Sequence, residues 1–368
     1  MRLVDLFCGT GGFSRGAHMA GFKVAVAFDI DPILSSSYST NFPHTKVVQH
    51  DVAVLTGDDV QREAGGPVDG LFGGPPCQGF SDIGRRDITD VRRRLLWHFF
   101  RLVREVQPTF FVMENVRGLL YPENIGELEA AIAQVSDEYE ISDPIVWDAS
   151  QFGAATKRNR LFVVGVHKDR GDRVANEDIA VWKRPAATVR QALADIGGAT
   201  FLSDDDYGFD WWRIEKRGRP HSYARDLRLR SGNRAGCFTG HRKTRHTDKV
   251  IERFAIIPQG GFEKVGRHPR LAWDGQCPTL RAGTGADLGS FQSVRPIHPE
   301  EHRVITVREG ARLQGFPDGH LFHPTVWHSF RMIGNSVSPI MAQAVFNAVA
   351  AKLDWAPTRE DTYPLAAE

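Results

Sequence analysis

The chain has 368 residues, with 46 Lys and Arg against 45 Asp and Glu, a formal net charge of +1 and an ordinary 41% hydrophobic share. That length exceeds what one hydrophobic core normally supports, so two domains are expected, and the near-neutral sum excludes binding of a polyanion through bulk charge alone. Its four cysteines, Cys8, Cys77, Cys237 and Cys277, show no paired spacing, which argues against a disulfide framework, and no apolar run could span a bilayer or act as a signal peptide, so a cytoplasmic protein is expected.

An apolar run at Leu3 to Phe7 predicts the first strand. It leads into Cys8-Gly9-Thr10-Gly11-Gly12, where glycines let the backbone turn tightly and a ligand approach the amino terminus of a helix predicted near Phe13 to Ala20. The strand Val24 to Phe28 then ends at Asp29, twenty residues after Gly9 and suited to accept hydrogen bonds from ribose hydroxyls. The dinucleotide fingerprint is broken at Gly11-Gly12-Phe13-Ser14, which favours a nucleoside cofactor without a pyrophosphate, S-adenosyl-L-methionine first among them. A merely tight turn beside a surface aspartate is the plainer alternative. Further strands are predicted at Val47-Val48, Leu71-Phe72, Phe110 to Met113 and Leu161 to Val166, with helices at Leu95 to Val106 and Ile125 to Val135. This alternation predicts an α/β fold with a doubly wound, mostly parallel sheet over residues 1–168, its functional loops at the carboxyl ends of the strands.

Two of those strand ends carry reactive side chains. Gly73-Gly74-Pro75-Pro76-Cys77-Gln78-Gly79-Phe80-Ser81 sets Cys77 in a stiff turn, and Phe110 to Val116 brings Glu114 to the end of a buried-looking strand. A cysteine nucleophile and a proton-handling glutamate on neighbouring strands make a two-residue active site. A buried, inert Cys77 and a helix-capping Glu114 are the plainer readings. The segment that follows, Gly79 to Arg94, is rich in arginine.

Residues 169–303 change to Gly-, Pro-, Arg- and Trp-rich segments with little helical period, predicting a second, smaller, irregular or β-rich domain. From Arg213 to Arg253 there are thirteen Lys and Arg against four Asp and Glu, among aromatic residues that include Tyr223 and Phe238. This pattern points to a phosphate-contacting surface, with a solvated basic face as the alternative. Cys237, His241, His246 and Cys277 match no common zinc spacing, so no metal is expected. Arg308 to Leu313 predicts a short amphipathic helix of structural role. Pro339 to Leu353 predicts an amphipathic helix entered by proline and returning to the first domain, so residues 304–368 form a hinge segment and that helix.

Gly9, Cys77 and Glu114 lie in six ordered segments, "DLFCGTGGFS", "GGPPCQGFS", "MENV", "RNRLFVVG", "TVREGARLQGFPD" and "GNSVSP". Through them the chain resembles the bacterial-type DNA (cytosine-5) methyltransferases over nearly its whole length. The resemblance implies methyl transfer from S-adenosyl-L-methionine, leaving S-adenosyl-L-homocysteine, to carbon 5 of a cytosine flipped out of a specific duplex DNA sequence. Cys77 would add to carbon 6, Glu114 would hold or donate the proton at ring nitrogen 3, and Arg160, with Arg158 beside it, would support the pyrimidine carbonyl. In the cofactor site, Phe7 would stack near adenine, Asp29 hold the ribose and Asp51 meet the adenine amino group. Leu95 with Asn335 and Val337 would close that pocket, and Gly9, Gly11, Gly12, Ile30, Val52 and Pro75 would complete it. Base flipping implies a loop that closes over the pocket, Gly79 to Arg94, phosphate-gripping and with Gln78 and Ser81 at its hinge. DNA contacts are expected from Gln78, Ser81, Arg85 and Arg92 there, and from Arg228, Arg230, Arg234, Arg242 and Arg281, with Asn233 and His241, in the middle domain. Double-stranded DNA is the implied partner of a monomeric, nucleoid-associated bacterial enzyme, either with a companion restriction endonuclease acting on the same site or as an orphan.

The chain departs from the family at Thr156, where a glutamine is usual, and at Ile30, where an aromatic residue is frequent. Three other functions compete: an RNA methyltransferase of the same fold, to which Cys237-Phe238-Thr239 is similar, a catalytically silent DNA-binding module, and a nicotinamide oxidoreductase. The intact Cys77, Glu114 and Asn335 oppose the second, and the broken dinucleotide turn opposes the third.

Overall fold

The computed structural model describes residues 1–76, 94–215, 220–230, 232–282 and 295–356. The chain divides into two compact units: Met1–Asp148, Asn159–Lys183 and the segment from Pro339 form the first, while Ala149–Arg158 and Arg184–Ser338 form the second.

The first unit is built on β1 (Arg2–Leu6), β2 (Lys23–Asp29), β3 (Lys46–Gln49), β4 (Gly70–Gly73), β5 (Phe110–Asn115), β6 (Tyr139–Ile141), β7 (Ile145–Asp148) and β8 (Asn159–His167). Among the described residues these strands form one sheet in the order β3-β2-β1-β4-β5-β8-β6, with β7 also paired to β8. The first five are parallel, whereas β8 runs antiparallel to β5 and to its other two neighbours. The chain winds outward to one side through β2 and β3 and to the other through β4 and β5. The reversal therefore lies between β1 and β4, whose carboxyl ends open the crevice in which such sheets bind ligands.

Local sequence explains these elements. All six residues of β5 are buried, as an apolar run flanked by strands on both edges requires. Helices α1 (Gly12–Met19), α2 (Tyr38–Asn41), α3 (Gly57–Ala64), α4 (Arg94–Val106), α5 (Ile125–Ile132) and α6 (Asn176–Ala180) flank the sheet. α3 opens on a reciprocal Thr56–Asp59 capping box and ends at Gly65, with φ +75°. α4 buries Phe99 and Phe100 with their rings against Phe111 of β5. The C-terminal helix Pro339–Lys352 packs on α1 so closely that a Cβ on Gly16 would lie 2.3 Å from the Ala342 Cβ. Its Phe346 completes an aromatic cluster with Phe13, Phe22 and Phe72.

The second unit contains α7 (Val189–Leu193), β9 (Thr200–Asp204), β10 (Asp210–Arg213), α8 (Ser222–Leu227), β11 (Cys237–Thr239), α9 (Asp248–Ala255), β12 (Phe262–Glu263), β13 (His268–Pro269), α10 (Val307–Gln314) and α11 (Val326–Asn335). β9, β10 and β11 form an antiparallel sheet in the order β11-β10-β9. The amphipathic helix expected at Arg308 to Leu313 is present, and its polar face is buried along with its apolar one, every residue of α10 being buried. Its charges are neutralised inside: Arg312 pairs with Asp318 at 2.7 Å and with Asp195, and Glu309 pairs with Arg303 at 2.8 Å. Arg308 donates to the carbonyl oxygens of Thr239, Pro317 and His320. A periodicity count reads those charges as a wet face, whereas their partners make the face dry. No helix among the described residues is long and apolar enough to cross a membrane.

Candidate active site

Glu114 stands at the carboxyl end of β5, almost buried, with its Oε1 2.7 Å from the Nε of Arg160 on β8. The antiparallel register sets Glu114 opposite Phe162 and Arg160 opposite Trp147, so the guanidinium reaches the carboxylate from the adjoining strand. The other carboxylate oxygen fills the space that a side chain at residue 74 would take, since a Cβ on Gly74 would lie 2.7 Å from Glu114 Oε2. Next in sequence, Asn115 donates from Nδ2 to the carbonyl oxygen of Pro75 at 3.2 Å, tying the turn after β4 to the end of β5. Pro75 is buried in that turn. Gly74 and Asn115 were not singled out from the sequence, although both lie inside the motifs that carry the resemblance. Cys77, Gln78, Ser81, Arg85 and Arg92 lie outside the described residues.

The neighbouring strand end, after β1, is a turn of left-handed residues: Phe7 has φ +65°, Gly9 +49° and Gly11 +84°. Asp29, ending β2, accepts from the amide of Gly9 on Oδ2 at 2.7 Å and from the amide of Asp31 on Oδ1 at 2.8 Å. Burial raises its pKa, opposed by those amide hydrogen bonds. A Cβ on Gly9 would meet nothing within 4 Å, whereas one on Gly11 would strike the Phe42 ring, so Gly9 borders open space while Gly11 is required by packing. Gly12 begins α1 and is buried. Beneath the turn, the buried Asp5 carboxyl accepts from Ser14 Oγ, which also shares a hydrogen bond of 2.6 Å with Tyr38 Oη. Burial drives the pKa of Asp5 well above the usual carboxylate range. Nothing in the sequence marked Tyr38 as a member of this group. Cys8 is buried, and desolvation aided by Asp5 and Asp29 pushes its thiol pKa well up, which suits an inert structural side chain.

Around the rim, Phe7 is half-buried and Ile30 is 66% exposed. Asp51 accepts from the amide of Ala53 on Oδ1 at 2.9 Å, Val52 is buried, and Leu95 is half-buried in the first turn of α4. A strand-end carboxylate, exposed apolar side chains and a glycine facing open space fit S-adenosyl-L-methionine: carboxylate to ribose, apolar surface to adenine, and an open turn to the rest. Asn335 and Val337 belong to the second unit, Asn335 exposed at the end of α11 and Val337 buried just beyond it.

Arg158 differs from the expectation that set it beside Arg160. It precedes β8, is fully buried in the second unit, and donates from Nη1 to Leu280 O at 3.0 Å and from Nη2 to Gly334 O at 2.6 Å. We assign it a structural role, because a guanidinium spent on backbone carbonyls in a core is an anchor. Thr156 is also buried, its hydroxyl donating to Cys277 O at 3.1 Å.

Acidic partners, three of the four from outside the basic stretch, moderate its excess charge. Arg228 gives Nε and Nη2 to Asp195, at 2.9 and 2.7 Å, and Lys243 pairs with Glu301 at 2.7 Å. Arg230 pairs with Asp226 at 2.8 Å, and Arg242 pairs with Asp204. Arg234 lies over the Trp211 ring at 3.8 Å, and Arg281 is exposed. His241 is buried, its Nδ1 3.0 Å from Thr306 Oγ1, so it does not belong among the surface candidates. Asp210 was not anticipated: its two oxygens accept the amides of Gly240, His241 and Arg242 at 2.7, 2.9 and 2.7 Å and the Trp212 indole N–H at 2.8 Å. Among the described residues no cluster of His, Cys, Asp and Glu has the make-up of a metal site.

The family model described as C-5 cytosine-specific DNA methylase matches residues 1–351. The Type II methyltransferase M.XorII of Xanthomonas oryzae pv. oryzae is 39% identical over 363 residues, which cover 93% of this chain and 82% of the relative. M.DdeI of Desulfomicrobium norvegicum is 31% identical over 391 residues, covering 96% and 89%. Among solved structures, a prophage-encoded E. coli protein assigned as a DNA modification methyltransferase superposes with a TM-score of 0.82 at 38% identity, covering 96% of this chain and 99% of that one. The S. pombe Dnmt2 methyltransferase, at 16% identity and a TM-score of 0.62 over 96% of this chain and 98% of its own, shares the fold.

Proposed function

The chain belongs to the C-5 cytosine-specific DNA methylases, which methylate carbon 5 of cytosine in DNA, and we propose that Cys77, Glu114 and Arg160 carry its reaction. The observation that most supports this reading is the 2.7 Å Glu114–Arg160 ion pair at the end of β5, joined through Asn115 to the turn that leads into Cys77.

Carbon 5 of cytosine is a weak nucleophile. Addition of the Cys77 thiolate to carbon 6 makes it an enamine-like carbon and shifts electron density toward ring nitrogen 3. Glu114 holds the proton at that nitrogen, and Arg160, fixed against Oε1, orients the carboxyl group and adds positive charge where negative charge develops. Free cysteine ionises near ~8.5, so attack must be coupled to ionisation or follow it. When bound, S-adenosyl-L-methionine supplies an electrophilic methyl group on a positively charged sulfur. A base, proposed to be water, then removes the carbon 5 proton, the carbon 6 bond breaks and the cysteine leaves.

Phe7, Gly9, Gly11, Gly12, Asp29, Ile30, Asp51, Val52, Pro75 and Leu95 are the proposed cofactor residues of the first unit. Asn335 and Val337 join them on the family resemblance. DNA contacts are assigned to Gln78, Ser81, Arg85 and Arg92 and, in the second unit, to Arg230, Arg234, Arg242 and Arg281. The likeness to Type II methyltransferases supports a modification role that protects DNA from an endonuclease of the same specificity.

The test is transfer of labelled methyl from S-adenosyl-L-methionine to unmethylated genomic DNA by wild type and Cys77→Ser, with bisulfite sequencing. Methylcytosine at a defined site, lost in the variant, is the expected result. Transfer that survives Cys77→Ser would remove Cys77 from the mechanism.

A further inference from the structure

We propose that Arg242 reads a base edge with Asp204 as its positioning residue, and that Arg234 grips the DNA backbone. This division of labour rests on the DNA-methylating reading above.

Arg242 is held at both ends. Its amide and those of Gly240 and His241 converge on the Asp210 carboxylate, which fixes the turn after β11. At the other end, Nη2 meets Asp204 on β9. Yet the side chains of Arg242 and Asp204 are 60% and 53% exposed. An ion pair so wet adds little stability, so fixing this arginine from two strands has a better explanation in what it presents. A guanidinium carries five donors in a rigid fork. Asp204 engages one nitrogen and, with the Phe201 ring 5.8 Å from the guanidinium, orients the fork, whose other donors on this exposed side chain match the O6 and N7 acceptors of guanine in the major groove.

Arg234 is fixed in another way. Its guanidinium lies on the Trp211 ring at 3.8 Å, and the indole is anchored by Asp205 at 2.9 Å. Contact with the ring face holds the guanidinium by its charge, beside Asp205, with no carboxylate bond to a nitrogen of the fork among the described residues. A hold of that kind suits a phosphate, which accepts from many angles, better than a base edge, which does not. Arg228, with two nitrogens on Asp195, lacks this availability.

The experiment uses the full-length enzyme on duplexes carrying every single-base variant of the site located by bisulfite sequencing, with binding measured across a salt series. Arg242→Ala should cut discrimination at one base position by about ten- to a hundred-fold and leave the other positions intact. Arg242→Lys keeps the charge and loses the fork, so it should keep general affinity while losing the same discrimination. Asp204→Asn should weaken discrimination at that position alone. Arg234→Ala should lower affinity for all duplexes alike and reduce the salt slope by about one. Thermal melts confirm that each variant is folded. If Arg242→Lys discriminates like wild type, or if Arg242→Ala weakens all sequences equally, the base-reading assignment is overturned. Unchanged binding by Arg234→Ala overturns the backbone contact. Wild type that methylates no DNA would instead defeat the parent reading.

Discussion

Arg160 holds Glu114 by one carboxylate oxygen, Nε to Oε1 at 2.7 Å, from a strand that runs antiparallel to the one bearing the glutamate. A charge-assisted contact of this kind fixes the orientation of the carboxyl group. Arg160→Ala should therefore lower kcat by about a hundred- to a thousand-fold with a smaller change in KM for DNA. Single-turnover methylation at saturating DNA checks this, and a loss confined to KM would reduce Arg160 to a binding group.

Gly74 leaves open the space that the same carboxylate occupies. Because a Cβ there would sit 2.7 Å from Glu114 Oε2, Gly74→Ala must move either the glutamate or the turn that leads to Cys77. We expect methyl transfer to fall at least about a hundred-fold, since misplacement by about an ångström has that effect. S-adenosyl-L-methionine binding, measured by calorimetry, should survive. An active Gly74→Ala enzyme would show that Glu114 tolerates displacement.

Asp29 carries the cofactor prediction. Asp29→Ala removes a carboxylate proposed to bind ribose and also frees the Gly9 amide. Loss of one charged hydrogen-bond partner should weaken S-adenosyl-L-methionine by about ten- to a hundred-fold in direct titration. The rate at saturating cofactor should change little. Unaltered affinity would remove Asp29 from the site.

Acid should unfold the second unit in two stages. His241 is buried and its pKa is lowered to about 4, desolvation outweighing the attraction of Glu309. It is neutral in the fold, so stability is full above the unfolded histidine value near ~6.5 and declines as pH falls toward 4. Glu309 follows. Burial alone would raise its pKa, but the hydrogen bonds and charge of Arg303 bring it to about 2. Its stabilisation is present above the unfolded glutamate value and is lost as pH falls from there toward 2. Glu309→Gln leaves Arg303 with Glu301 as its remaining carboxylate partner and should cost about 1.5–3 kcal/mol at neutral pH, the value of a hydrogen bond to a charged group. Denaturant melts from pH 7 to 3 check both the cost and the missing acid limb.

Much of the catalytic unit was legible because apolar strands and motif turns are local signals. Leu71-Phe72 and Phe110 to Met113 mark adjacent parallel strands whose ends carry the site, and Asp29 closes β2 with its carboxylate on Gly9. β6 has only three residues and α2 four, too few to set up a period. α3 was missed although Thr56 and Asp59 form its capping box, a sequence signal that could have found it. Arg158 and Arg160 sit two apart and read as a pair, but β8 begins at Asn159, so Arg158 is outside the alternation that aims Arg160. The pairing of Arg228 with Asp195, 33 residues away, has no local signature at all.

Arg308 grips the backbone oxygens of Thr239, Pro317 and His320, with a longer 3.5 Å contact to the Thr239 hydroxyl, and a carbonyl is the same whatever side chain its residue bears. At Pro317 and His320 that grip is thus indifferent to amino-acid identity. The side chains of β9, all of them exposed, can be exchanged without disturbing that grip. The surface of this unit can in this way vary while its scaffold stays unchanged.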